Sequence, residues 1–473
     1  MLRRQHLQRF QPLARSHTCR PLSQTPRYVH QSSRQNVAVP SSSPVSTLHL
    51  STLPESPLAS TKAVLRRLPT STVFRSYLIT AMSSSPLLLN ACFGILRRML
   101  DSKSFLLSIE RNPLLSNLVK KTFYAQFCVG EHKDEVVKNT DFARTLGYGG
   151  ILFEYALEVL GGQAPTAEET KREIEVWRKG MLQSVNMAKE GDFVGLKWSG
   201  LGRHALTLLR NQQEATPEMW AAITAACDAA AAKGVSLLPG AEEEATNPGL
   251  ENWTLALQKK YNTPAQGRAV LYITYQCYLR DISKRMAQHL ETASKEGYIA
   301  GVKLVRGAYL TSEPKHLTFD TKAGTDANYD ACADAVVRQR WNEQVPAPTP
   351  GTPFPRVNIV LATHNLNSVQ AAQNIRASQM LTTAPEDLPR LTYAQLQGMA
   401  DEISQALVQD ETMKADTQAK VVKCMTWGTT TECLNFLLRR AAENKEAALR
   451  TEDTRKAMGK ELWRRLRGVF GLA

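Results

Sequence analysis

From about residue 125, short and almost continuously apolar runs alternate with longer helical stretches, and this alternation restricts the fold more than any other feature of the chain. The runs are AQFCVG (125–130), GGILFEY (149–155), DFVGLKW (192–198), GVSLLPG (234–240), AVLYITYQ (269–276), IAGVKLVRG (299–307), RVNIVLATH (356–364) and VVKCMTWG (421–428). Strands that are apolar on every residue need cover on both faces, which is the pattern of a parallel sheet clad in helices. Between them lie helical stretches. One opens at Thr216, Pro217 and Glu218, an N-cap followed by a first-turn proline and acid. Another, LRDISKRMAQHLETASKEG (279–297), ends at glycine, while QVPAPTPGTPFP (344–355) is a proline-rich connection. Eight strands, each followed by helix, predict a closed (β/α)8 barrel of TIM type; an open doubly wound sheet is the alternative.

A barrel of this kind carries its chemistry at the C-terminal ends of its strands. Here those ends read Glu154, Lys197, Gly240, Gln276, Lys303 with Arg306, and His364. An inert core has no need of so many polar groups. Lys197 closes an apolar strand and either snorkels to the rim or faces a ligand. Gly307 follows Arg306 and admits close approach of a ligand to the backbone. A flavin needs a cation near its N1–C2=O or N5 edge and an amide such as Gln276 for its ring. Thr363, His364 and Asn365 are neutral donors past the seventh run, although a loop histidine alone is usually just hydrogen-bonded.

The formal charge of +14 suggests nucleic acid until it is located. Residues 1–54 hold seven arginines and no acid, and 55–120 hold nine basic and three acidic residues, which leaves +1 for 121–473. A nucleic-acid-binding face is therefore not indicated. Residues 1–60, rich in Arg and Ser and acid-free up to Glu55, resemble a cleaved mitochondrial transit peptide. Residues 61–123 form an N-terminal helical arm. Its 21 uncharged residues between Arg75 and Arg97 are interrupted by three serines, a proline and an asparagine. They read as an interfacial or protein-packed helix rather than a span. The eight cysteines form no C-x-x-C pair and the nine histidines no H-x-x-x-H pair, so neither disulfides nor a metal site are expected.

Two further motifs have competing readings. GLGRHA (200–205) matches a dinucleotide-binding glycine pattern, yet the acid about twenty residues on, Glu218, belongs to a helix start. LLRRAAEN (437–444) spaces Arg439, Arg440 and Glu443 on one helix. That spacing gives either a solvated ion-paired face or a carboxylate clamp with an acid balancing it.

VKLVRGAYL, ATHN and LLRRAAEN, taken together and in this order, resemble the proline dehydrogenase family in its eukaryotic mitochondrial branch. NPLLSNLVKKTFYAQFCVGE (112–131) and GILFEYALEV (150–159) resemble that branch's opening motifs, and the likeness covers roughly 62–450. The resemblance implies a distorted barrel over 124–473 that holds FAD noncovalently at its mouth. It implies Lys303 beside flavin N5, Gln276 on the flavin ring, and Arg306, Gly307, Thr363, His364 and Asn365 as cofactor contacts. Arg439 and Arg440 would grip the proline carboxylate with Glu443 as companion, while Lys197 and Tyr309 would lie near the substrate. Glu154 and Glu158 fall where bacterial members place an Asp and a Glu. Three departures stand out: Gly240 opens the family's Asp-Ala-Glu triplet, and Cys424 and Phe436 replace tyrosines.

The activity implied is oxidation of L-proline to Δ1-pyrroline-5-carboxylate. Electrons would pass to ubiquinone from the matrix side of the inner membrane. The competing expectations are an NAD(P)-dependent dehydrogenase built on GLGRHA, and a catalytically silent paralogue that binds FAD or proline as a sensor.

Overall fold

The computed structural model describes residues 63–157, 162–443 and 451–471, with the side chains of 442 and 443 not described. The expected leader (1–60) and Glu158 therefore lie outside the described residues.

Nine strands form: β1 (Cys128–Gly130), β2 (Gly150–Tyr155), β3 (Phe193–Leu196), β4 (Ser236–Pro239), β5 (Ile273–Gln276), β6 (Ala300–Val305), β7 (Val357–Ala362), β8 (Leu391–Leu396) and β9 (Ala419–Trp427). Strands β2 to β9 run parallel in the order β4-β3-β2-β9-β8-β7-β6-β5. Along each strand alternate residues serve two cores. Ile151, Phe153, Val194, Leu237, Val302 and Leu361 face the helices, while Leu152, Phe193, Leu238, Tyr272, Val360 and Val422 fill the barrel as an apolar plug. That division is why the runs read as apolar throughout. Each such side chain contributes about 1.5–3 kcal/mol on burial.

The ring closes between β4 and β5 through one bridge, Leu237 to Leu271. Leu237 donates to the Val270 carbonyl at 2.7 Å and Tyr272 donates back to Leu237 at 3.1 Å. Asn262, fully buried, holds this seam. Its Oδ1 accepts from Val270 and Leu271 at 2.8 and 2.9 Å, and its Nδ2 donates to the carbonyls of Leu271 and Ile299 at 2.7 and 2.9 Å. The irregular lead-in explains why the run predicted over 269–276 yields regular strand only from Ile273.

Two expectations need correction. The run at 125–130 is not a barrel stave: Ala125–Phe127 is helical, and the three-residue β1 pairs only with the end of β9. The eighth stave is instead LTYAQL, β8, whose Thr392 and Gln395 disguised it as a loop. Buried ion pairs flank β8. Arg376 Nε meets Asp416 Oδ2 at 2.5 Å while its Nη2 donates to the Pro389 carbonyl at 2.7 Å, and Lys423 Nζ meets Asp401 at 2.7 Å. The eight-stave count stands, with a different first member.

The helix starts and stops follow the sequence signals. Thr216 accepts from the Met219 amide to cap Pro217–Ala232, and Ile282–Glu296 ends on left-handed Gly297. In the arm, Thr70–Ser83 and Pro86–Asp101 meet at 106° across the serine–proline break. Among the described residues no single helix is long and apolar enough to cross a membrane, although this bent pair meets that test jointly.

Asn262→Ala strips four buried hydrogen bonds from the seam. With about 1–3 kcal/mol for each backbone group left unsatisfied, the variant should lose at least about 3 kcal/mol, read as a lowered urea midpoint.

Candidate active site at the barrel mouth

The C-terminal ends of the staves bring together residues far apart in sequence. Lys197, just past β3, is fixed by Trp177, whose Nε1 donates to the Lys197 carbonyl at 2.9 Å. Its ammonium lies 3.3 Å from Glu154 Oε1 on β2. Gly195 makes room for that carboxylate, since a Cβ there would come within 1.9 Å of Glu154 Oε2. Deeper in the mouth, Lys303 on β6 makes no hydrogen bond or ion pair among the described residues. Burial draws its ammonium below the usual lysine range, and the charge of Glu154 opposes the shift. On β9, burial and then Glu154 push the Cys424 thiol up to about 12, so it stays neutral.

A second set hangs from the Thr430–Glu443 helix, which follows β9. Its start is held over the mouth by Glu131 Oε1, which accepts from the Thr430 amide and hydroxyl at 2.6 and 2.7 Å. Arg440 Nη1 donates to the Tyr309 hydroxyl at 3.3 Å, and that hydroxyl donates to Glu242 Oε2 at 3.0 Å. Ser199 donates to the other oxygen of Glu242 at 2.7 Å. Gln276 ties in below: Nε2 donates to the Glu242 carbonyl at 2.9 Å, and Oε1 accepts from the Ala308 amide at 3.3 Å. One acceptor lone pair and one amide hydrogen of Gln276 remain. Phe436 joins the two sets, with Lys197 Nζ 3.9 Å and Arg440 Cζ 5.9 Å from its ring centroid.

Arg440 thus turns into the mouth rather than onto a solvated helix face. Arg439 is half-buried beside it, and the side chain of Glu443 lies outside the described residues.

Arg306 belongs to a neighbouring group. Its guanidinium reaches Asp326 at 2.6 Å, the Thr363 hydroxyl at 2.6 Å and the Ser368 hydroxyl at 2.9 Å, and stacks 4.5 Å from the Tyr329 ring centroid. Gly307 has φ +132°, and a side chain there would strike the Tyr278 ring. Asn365 caps Leu366–Met380 by accepting from the Ser368 amide at 3.2 Å. His364 Nε2 accepts from the Leu396 amide at 3.2 Å. Its ring is crowded by the mouth, and with Lys423 and Arg306 nearby its pKa falls to about 4, although the residue as a whole is exposed.

The sequence reading did not single out Glu242 or Ser199 as site residues. Glu242 was legible as the end of the acidic triplet; Ser199 had no signal of its own. GLGRHA has a structural use: the Arg203 amide at its helix start donates to Glu173 at 2.9 Å, so a carboxylate of the chain itself occupies that end. Among the described residues there is no cluster of three or more potential metal ligands.

A parallel eight-stave barrel with its polar groups gathered at the C-terminal mouth is a (β/α)8 protein. The proline dehydrogenase family profile matches residues 143–453. The chain belongs to that family. It is 31% identical over 261 residues to "Probable proline dehydrogenase, mitochondrial" of Schizosaccharomyces pombe, covering 53% of this chain and 50% of that protein. It is 34% identical over 247 residues to "Hydroxyproline dehydrogenase" of Mus musculus, covering 50% of each. It is 32% identical over 245 residues to "Proline dehydrogenase 1, mitochondrial" of Homo sapiens, covering 50% of this chain and 36% of that one. The matched region thus spans half or less of these three relatives. Among solved structures, proline utilization A from Bdellovibrio bacteriovorus superposes with TM-score 0.55 at 18% identity, over 78% of this chain and 38% of that one, which establishes the fold.

Because the folded-state pKa of His364 is depressed, the ring should stay neutral at pH 6 and keep accepting from Leu396. A ring-proton NMR titration should show a midpoint below 5 rather than near the ordinary ~6.5.

Proposed function

We propose that this chain oxidises L-proline to Δ1-pyrroline-5-carboxylate, using noncovalent FAD at the barrel mouth and ubiquinone as electron acceptor. The observation that carries the reading is the chain Arg440–Tyr309–Glu242 at the mouth of a barrel of the proline dehydrogenase family, with Lys303 on the neighbouring stave β6.

The residues present fit a flavin. Lys303 offers an ammonium with no hydrogen-bond or ion-pair partner among the described residues, Gln276 keeps an unused donor and acceptor, and the pKa of His364 is lowered to about 4. Lys303 and Gln276 would meet the ring; Arg306, Gly307, Thr363, His364 and Asn365 would line the rest of the cofactor. When bound, FAD supplies at N5 the acceptor for the hydride that leaves C5 of proline. Arg439 and Arg440 hold the substrate carboxylate, with Glu443 balancing their charge. The phenol of Tyr309 fixes the Arg440 fork before substrate arrives, so less orientation is lost on binding. The cations Lys197, Arg439 and Arg440 favour the neutral amine, the form able to release hydride. The setting is the matrix side of the mitochondrial inner membrane, in keeping with the names of the fission-yeast and human relatives.

Steady-state assays with L-proline and a soluble dye test this reading. Wild type should turn over. Arg440→Met should lower kcat/KM by roughly 10- to 150-fold, the equivalent of one charge-assisted pair. No turnover in the wild type favours the silent paralogue, and an unchanged Arg440→Met removes the clamp.

A further inference from the structure

We propose that the hairpin between Pro86 and Lys121 is the surface by which the protein seats on an anionic lipid bilayer, with Phe105, Leu106 and Leu107 entering the headgroup region.

Three consecutive large apolar residues stand at its tip, 61%, 73% and 52% exposed. Leu114 and Leu118, a helical turn apart on Pro113–Val119, add 82% and 60%. Single exposed leucines are ordinary, but five large apolar side chains within fourteen residues need a partner. The tip is not loose chain. Asn112 Nδ2 donates to the Leu106 carbonyl at 3.1 Å, and Arg111 donates to the Lys103 carbonyl at 3.0 Å. The structure therefore presents these side chains to solvent from a hydrogen-bonded turn.

Charge selects the partner. Residues 86–121 carry six basic residues and two acids; Lys120 is paired with Glu131, which leaves Arg97, Arg98, Lys103, Arg111 and Lys121 as the basic side chains of the segment available to a partner. An exposed apolar tip on a net basic segment matches a bilayer bearing anionic headgroups. A second copy of this chain would bring the same net positive segment against itself. The Thr70–Ser83 and Pro86–Asp101 helices are bent 106° to each other, a geometry suited to lying in an interface.

The hairpin is also placed for a purpose that rests on the function proposed above. Met99, Ile109 and Val119 pack on Leu434 of the Thr430–Glu443 helix, the helix that carries Arg439 and Arg440. Glu110 accepts from the Thr431 hydroxyl at 3.0 Å. A bilayer under the tip would thus lie on the mouth side of the barrel, where a lipid-soluble acceptor must approach.

The test is co-sedimentation of the full chain with phosphatidylcholine vesicles containing cardiolipin. Wild type should pellet with them, and less with phosphatidylcholine alone or at high salt. F105S/L106S/L107S should bind about 100-fold more weakly. That variant should keep soluble-dye turnover of proline while losing reduction of vesicle-embedded quinone. Leu106→Asp, at the most exposed tip position, serves as the second variant if the triple one fails to fold. Wild type remaining in the supernatant, undiminished binding by both variants, or a dimer that the variants convert to monomer would each overturn the proposal. Vesicle binding without proline turnover would refute the catalytic reading and leave the lipid surface standing.

Discussion

The arrangement turns on the Lys303 ammonium, which feels the charge of Glu154 but makes no hydrogen bond or ion pair among the described residues. A charge removed from water costs several kcal/mol unless it is paired, and Lys303 projects from β6 into the mouth above an apolar plug with no ion-pair partner among the described residues. Contrast the other buried cations. Arg376 has Asp416, Lys423 has Asp401, and Lys197 has Glu154. Lys303 has no such ion pair among the described residues, and its place at the C-terminal end of a stave is what singles it out for the proposed cofactor. In the proposed reading that ammonium would stabilise the negative charge a flavin ring acquires on reduction, while the amino acid carboxylate goes to Arg439 and Arg440.

The fold serves this arrangement by keeping its parts stiff. The seam at Asn262 and the ion pairs beside β8 fix the ring of staves. The glycine at 195 lets Glu154 lie across β3 toward Lys197. The last helix then lays Arg440 on Tyr309, and Tyr309 on Glu242, so that guanidinium, phenol and carboxylate restrain one another. Phe436, where the family resemblance leads one to expect a tyrosine, makes its contribution through its ring face between two cations rather than through a hydroxyl.

Much of this was readable in the sequence because parallel staves buried on both faces leave unbroken apolar runs, and because polar groups at their C-terminal ends stand out against them. Lys197, Gln276 and Lys303 were found that way. The stave Leu391–Leu396 was missed for the converse reason: it carries polar residues into the fold, among them Gln395, which accepts from the Ser404 hydroxyl at 3.1 Å. The three-residue β1 was mistaken for a stave because an apolar run flanked by glycine looks the same at the edge of a ring as within it. The inward turn of Arg440 was beyond spacing rules altogether. An i, i+3 or i+4 pattern describes a helix face, and only the packing of Leu434 and Phe436 determines where that face points.

The visible absorbance spectrum of the purified full chain, recorded before and after anaerobic addition of L-proline, tests the central claim most directly. A mouth built around an unmatched Lys303 to hold a flavin and a proline should give a yellow protein whose long-wavelength band bleaches with the amino acid, and Lys303→Met should weaken retention of the colour. A colourless protein that takes up no added FAD, or a yellow one indifferent to proline, would contradict it.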